Sequence, residues 1–165
     1  MRKGSRGFSL IELLIVVAII LIIAAIAIPN LLHSRIAANQ ASAVVSLHTL
    51  NTAELTYATT YNTGYTSTLG DLGPPASGNP TATAAALIDS VLSGGSPTAS
   101  TSSKSGYSFL YTAGATDTSG RINTYSITAT PLTVGTTGTN YYFTDMSAVI
   151  RQNSTTVAGS SDSPL

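Results

Sequence analysis

Glu12 is the residue whose type conflicts most plainly with its surroundings. It stands inside FSLIELLIVVAIILIIAAIAI, Phe8 to Ile28, where only Glu12 and Ser9 are polar. A carboxylate in so apolar a helix costs a few kcal/mol and marks a functional partner. Kept from water, it pairs with a cation or neutralises by a raised pKa. The other ionisable residues make a poorer case. His33 and His48 are fifteen residues apart with no cysteine anywhere in the chain, and a metal site takes three or four ligands. They read as solvated or cap-like histidines. Asp71, Asp117, Asp145 and Asp162 stand in or near loop contexts and read as turn formers. Asn153-Ser154-Thr155 matches an N-glycosylation sequon, and the many serines and threonines suit O-linked sugars, both compositional statements. No nucleophile elbow, phosphate loop, HExxH or paired-carboxylate arrangement is present. The reading is of a protein that is not an enzyme and needs no cofactor.

The run around Glu12 must therefore be placed first. As a helix rising about 1.5 Å per residue it is roughly 30 Å long, the thickness of a bilayer's hydrocarbon core. Arg2, Lys3 and Arg6 precede it with no acid, a bias that keeps the N-terminus cytoplasmic and sends the rest of the chain across. A cleaved secretory signal is one competing reading, with Ala25-Ile26-Ala27 as the small-x-small site. Its apolar region would be about 7–15 residues, and this run is longer. A plain single-pass anchor is the other, and there Glu12 is the difficulty. Pro29 closes the run and bends or interrupts a helix that continues past it.

Composition narrows the partners. Charged residues make up 8 % of the 165-residue chain, against about 25 % in ordinary globular domains. Without Arg2, Lys3 and Arg6, four basic side chains face seven acidic ones. The remaining cations, Arg35, Lys104, Arg121 and Arg151, are scattered singly, so no basic patch invites a nucleic acid. With no disulfide possible, an exported domain depends on its core or its assembly.

In order, residues 31–62 are predicted as an amphipathic helix. Val44, Leu47 and Leu50 form its apolar stripe, continued by Tyr57 and Tyr61, while Arg35, Asn39, Gln40 and Asn51 are its polar side. Asn62-Thr63-Gly64 stops it. Residues 63–106 are a loop-rich connection with one short helix, Asn79 capping, Pro80 in the first turn and Gly94 closing. Leu87, Val91 and Leu92 would pin that helix. From Tyr107 the period becomes two: Tyr107, Phe109, Tyr111, then Tyr125, Ile127, Ala129, then Tyr141 and Phe143. Turn-rich linkers separate these runs, which predicts a meander of three or four antiparallel strands within 107–165. Met146 to Arg151 supplies the last, and the polar tail from Gln152 is expected to be extended or disordered. The fold class is α+β, a long N-terminal helix with a small antiparallel sheet packed on its second half. Tyr57, Tyr61 and Tyr65 share a four-residue spacing, and helix-on-sheet packing accounts for at least the first two.

Gly7-Phe8-Ser9-Leu10-Ile11-Glu12-Leu13-Leu14, after a short basic leader and before an unbroken apolar run, resembles the processing site of type IV prepilins and of the pseudopilins of type II secretion. The resemblance is strongest over residues 4–30 and extends beyond Gly64 at fold level only. It implies that a prepilin peptidase removes leader 1–7 by cutting between Gly7 and Phe8, and that Phe8 is then N-methylated. Residues 8–30 would be the transmembrane and filament-core helix. Glu12 would pair with the N-terminal amine of a neighbouring subunit and set axial register. The free amine of Phe8 also falls four residues from Glu12, on one helix face.

The resemblance further implies a structural subunit of a type IV pilus-like filament. Its partners would be copies of itself, the lipid bilayer before assembly, and an inner-membrane assembly platform. It would travel from the bacterial inner membrane to an extracellular pilus. The alternative is the major pseudopilin of a type II secretion system, a periplasmic piston. Such pseudopilins bind calcium in their C-terminal loops, and Asp117 and Asp145 are oxygen ligands of that type, without D-x-D-x-D spacing. A minor pilin acting as a binding module is a third reading. The chain departs from many pilins in lacking a C-terminal disulfide and a glycine between Phe8 and Pro29.

Overall fold

A computed structural model describes residues 8–165; the basic leader, including Gly7, lies outside the described residues. One helix, α1, spans Leu10–Tyr61, and the chain divides into two compact units between Arg35 and Ile36. In the first unit the helix is apolar and bare. Leu10, Ile11, Leu13, Leu14, Ile19, Leu21 and Ile28 are all exposed. Its composition and length suit a membrane span.

The second unit holds a sheet of six strands in chain order: β1 (Thr101–Lys104), β2 (Tyr107–Ala113), β3 (Tyr125–Pro131), β4 (Tyr141–Asp145), β5 (Arg151–Asn153) and β6 (Ser163–Pro164). Every neighbouring pair is antiparallel. The alternation in the sequence becomes the two faces of the sheet. Tyr107, Phe109 and Tyr111 of β2 and Tyr125, Ile127 and Ala129 of β3 are buried. They meet Ala43, Leu47, Leu50, Ala53 and Tyr57 of α1 in one core. Successive side chains in a strand point to opposite faces, so one face meets the helix and the other stays outside.

The helix ends where residues of high left-handed tolerance appear. Asn62 has φ 54° and Gly64 φ 84°, the conformations that close helices. Gly64 has a second reason to be glycine: a Cβ there would lie 2.2 Å from the carbonyl oxygen of Ile122. That close approach lets Tyr65 N donate to Ile122 O at 2.8 Å, tying the helix end to the start of β3.

Four threonines on the outward side of α1 share one habit. Thr49, Thr52, Thr56 and Thr59 donate their hydroxyls to the carbonyls of Val45, His48, Thr52 and Leu55, at 2.8 to 3.0 Å. All four are exposed.

The connection differs from the sequence expectation. No helix forms over 80–92. Ala86 takes φ 55°, and the amides that a helix would use are claimed from outside. Ala85 N donates to Asp71 O, Ala86 N to Gly73 O, and Leu87 N and Ile88 N to Leu72 O. The stretch lies along a 3-10 turn, Leu69–Leu72, and buries Ala85, Ile88 and Leu92. Val91, expected as a pin, is exposed. Helix propensity of a few tenths of a kcal/mol per residue yields to such tertiary pairing. A single turn remains, where Asp89 Oδ1 accepts from Val91 N and Leu92 N.

The sheet is also longer than three or four strands. It begins at Thr101, inside the stretch expected to be loop, because Ser105 (φ 49°) and Gly106 (φ 75°) form a two-residue hairpin turn. Met146 to Ile150 is a turn rather than a strand: Ala148 has φ 58° and its amide donates to Asp145 O. The tail is neither free nor merely extended. It folds back as β6 against β5, and Leu165 N donates to Ile150 O at 2.9 Å. Asp162 fastens it, accepting from Asn153 Nδ2 and Gly159 N, while Arg151 Nη1 donates to the Asp162 carbonyl. In a chain without cysteine, this carboxylate closes the C-terminal loop. Asp162→Ala is expected to cost about 1–3 kcal/mol locally and to speed amide exchange over residues 159–165. Unchanged protection there would show that β6 holds without the clasp.

Candidate assembly and processing segment

The start of α1 carries the chemistry. Ser9 precedes the first helical residue and Glu12 sits three positions on. Ser9 N donates to Glu12 Oε2 at 2.9 Å, and Leu13 N to Ser9 O at 3.2 Å. This S-x-x-E contact is half of a capping box, in which the glutamate satisfies an amide that the helix leaves unpaired. A carboxylate in the first turn also suits the positive end of the helix dipole. Glu12 thus holds its own chain's backbone one residue from Phe8, which is 78 % exposed. Further along, the helix continues through Pro29, whose missing N–H leaves the carbonyl four residues back, on Ala25, without its helical donor.

The remaining candidates fall elsewhere. His33 is exposed on the N-terminal unit. His48 lines a cleft of about 210 Å³ with Asn51, Leu55, Tyr65, Tyr125 and Met146. Among the described residues no three His, Cys, Asp or Glu side chains come together as a metal set. Asp117 is occupied as a turn former. Its Oδ1 accepts from Ser119 N and Arg121 N and its Oδ2 from Asn123 Nδ2, and these bonds hold its carboxyl below the usual range. Asp145 accepts from Ser147 N. Asp71 accepts from Ser67 N, Ser67 Oγ and Thr68 N. The sequon residue Asn153 has both ends engaged, with Asp162 and with Thr155 N and Thr156 N. Lys104–Asp89, at 2.7 Å, is the ion pair found among the described residues.

Two of the three spaced tyrosines pack as expected, with Tyr57 and Tyr61 centroids 4.8 Å apart. Tyr65 sits edge-on to Tyr125 at 4.7 Å.

Asn51 departs from its sequence expectation, and Glu54 is a buried residue that the sequence pattern did not single out. Asn51, assigned to the polar side of α1, is buried: it donates to Thr144 Oγ1 at 2.9 Å and accepts from Tyr125 OH at 3.0 Å. Glu54 is fully buried. Asn51 stands four residues on from Leu47, and Glu54 four on from Leu50 and three before Tyr57; that helical spacing was the available signal.

Comparison with known proteins bears on the first segment. Residues 2–28 match the family described as the prokaryotic N-terminal methylation motif. The chain is 51 % identical over 53 residues to the type IV major pilin protein PilA of Myxococcus xanthus, covering 32 % of this chain and 24 % of that protein. It is 62 % identical over 37 residues to the type IV wide pilus major component PilA4 of Thermus thermophilus, covering 22 % and 28 %. The chain thus matches about a quarter of the length of these relatives. No solved structure matches it. The N-terminal part of the chain is thus similar to type IV major pilins and carries the prokaryotic N-terminal methylation motif, at the head of an α+β arrangement of one long apolar helix and an antiparallel sheet.

Proposed function

We propose that the chain is the structural subunit of a type IV pilus-like filament, assembled by its N-terminal helix after removal of residues 1–7 and methylation of Phe8. The observation that carries this reading is the joint placement of the motif and the bare helix. Residues 2–28 match the methylation motif, and the first part of α1, which lies within that match, exposes apolar side chains such as Leu10, Ile11, Ile19 and Ile28. Such a surface needs lipid or other helices around it. Both relatives are named as major components of pili, which favours the pilus over the pseudopilus of type II secretion.

In this reading the subunit waits in the inner membrane and is lifted out by an assembly platform. Lipid contacts are exchanged for contacts with copies of itself. A prepilin peptidase cuts between Gly7 and Phe8, and Pro29 bends the helix where it leaves the apolar core. Glu12 pairs with a neighbour's N-terminal amine. The role is structural, not catalytic. No metal enters the scheme; a calcium requirement, with Asp117 or Asp145 among the ligands, belongs to the pseudopilin alternative.

Intact-mass and N-terminal peptide spectrometry on sheared cell-surface material tests it. A chain beginning at methylated Phe8 in that fraction is the expected result. Processed chain confined to membrane and periplasm would favour the pseudopilus, and a chain retaining Met1 to Gly7 would overturn the family mechanism.

A further inference from the structure

Glu54 is the buried ionisable group that filament assembly does not use. It sits on α1 with no side-chain exposure, its carboxyl enclosed by the segment after the helix and by the sheet. Thr66 N donates to Oε2 at 3.1 Å. Thr66 Oγ1 lies 2.5 Å from Oε1 and 3.1 Å from Tyr111 OH, and Tyr111 OH donates to the Thr66 carbonyl at 2.9 Å. Thr66 is itself fully buried and Tyr111 nearly so, so water does not complete the set.

Counting protons decides how these contacts are made. The Thr66 hydroxyl has one proton for Glu54 and Tyr111, and the Tyr111 hydroxyl has one proton for the Thr66 carbonyl and the Thr66 hydroxyl: three contacts and two protons. If Glu54 is ionised, Thr66 donates to it, and the single Tyr111 proton is left to serve both the Thr66 hydroxyl oxygen and the Thr66 carbonyl. One further proton resolves the conflict, and the carboxyl is the group in the set that can carry it. Glu54 then donates to Thr66, Thr66 to Tyr111, and Tyr111 to the Thr66 carbonyl, so each contact has its own proton.

The surroundings agree. The ionisable groups that face Glu54 are Tyr57 on its own helix, Asp71 on the 3-10 turn, Tyr111 on β2 and Tyr125 on β3. All are acids and none is a cation. Burial, foremost, pushes the Glu54 carboxyl up from its ordinary value of 4.5; the bonds from Thr66 and Tyr111 oppose this and Asp71 adds to it. Burial likewise raises Tyr111 far above its ordinary value, so its hydroxyl remains a donor.

We propose that Glu54 is a neutral carboxylic acid in the folded domain. Its proton completes the chain Glu54–Thr66–Tyr111 that fastens the segment after α1, and it makes that fastening pH-sensitive. Between the ordinary and the raised value, folding then takes up a proton that the unfolded chain does not hold. The stability contributed by Glu54 is complete below its ordinary value and is lost as the pH rises through the raised one.

The test uses the full chain in detergent micelles. It has two glutamates, Glu12 and Glu54, so labelling glutamate Cδ with carbon-13 gives two resonances, assigned with an E12Q chain. The expected result is a Glu54 carbon that is still at the protonated position above the ordinary value of 4.5 and titrates only at higher pH. Between the ordinary and the raised value, the folding equilibrium constant should fall up to about tenfold per pH unit more steeply than in E54Q. The amide of E54Q reproduces the hydrogen bonds of the neutral acid, so that chain should fold. A Glu54 carbon that titrates at or below the ordinary value of 4.5, or equal pH slopes for the two chains, would overturn the proposal. The carbon titration on the unsubstituted chain decides the matter even if E54Q fails to fold.

Discussion

Glu12→Ala is expected to leave Phe8 processed and the chain in the membrane while reducing sheared filament by well over tenfold. In the filament reading, Glu12 meets the amine of a neighbour's Phe8 among apolar helices. Removing one member of a buried pair strands the other charge, at a cost of about 3–5 kcal/mol, and each 1.4 kcal/mol is about tenfold in an equilibrium. The bond from Ser9 N to Glu12 Oε2 supplies a second contribution, because Ala also removes that half of the capping box. Glu12→Gln separates the two. It keeps an acceptor for Ser9 N and discards the charge, so it should fail almost as badly as Ala if the pair governs assembly. Immunoblots of sheared and membrane fractions read both variants. Filament at ordinary levels from Glu12→Ala would remove the charge from the mechanism.

Phe109→Ala is expected to cost the sheet domain about 3–5 kcal/mol, a large share of the 5–15 kcal/mol typical of a folded domain. Phe109 has no exposed surface and lies among the residues of the core shared by α1 and the sheet. No disulfide or ion-pair network stands by to share the loss: the chain has no cysteine, and among the described residues there is one surface ion pair. Leu110, next along β2, is 47 % exposed on the other face, and Leu110→Ala should cost less than about 1 kcal/mol. Thermal or urea unfolding of the purified full chain compares the two. Equal losses would mean that the two faces of β2 are not inside and outside as the burial pattern has it.

The contrast between these adjacent residues also explains what could be read from the sequence. β2 and β3 announce themselves because aromatic and branched residues recur at every second position, and that alternation is the burial pattern; in β4 the period of two holds but the faces are reversed, since Tyr142 and Thr144 are buried rather than Tyr141 and Phe143. β1 and β6 have no such signal. Thr101-Ser102-Ser103-Lys104 and Ser163-Pro164 contain no large apolar residue, and they become strands because β2 and β5 offer them a ladder. Residues 80–92 carried helix punctuation, but the carbonyls of Asp71, Leu72 and Gly73 captured their amides, a competition between segments that no local pattern records. Asn51 differs from its expectation for a related reason: polar type suggests exposure, although Asn51, like Glu54, stands at a core position of the helix. The segment Gly7 to Glu12 was legible because its meaning is local. A motif recognised along the chain does not wait for distant residues to arrive, and what the fold adds there is the hydrogen bond between Ser9 and Glu12.

The threonine hydroxyls on α1 change what that side of the helix offers to whatever touches it. Thr49, Thr52, Thr56 and Thr59 spend their protons on carbonyls one turn back, so their methyl groups are the part left unoccupied. Val45 and Leu55 are exposed on the same stretch, and from Ile36 to Tyr61 the ionisable side chains are His48, the two tyrosines and the buried Glu54. By composition this surface is hydrophilic; by the groups it has free it behaves more like a row of short hydrocarbons. Stripping water from a hydroxyl already bonded within its own helix forfeits far less than the few kcal/mol charged for an unsatisfied one. Hydropathy summed from residue types therefore overstates how strongly this side of the helix is bound to solvent.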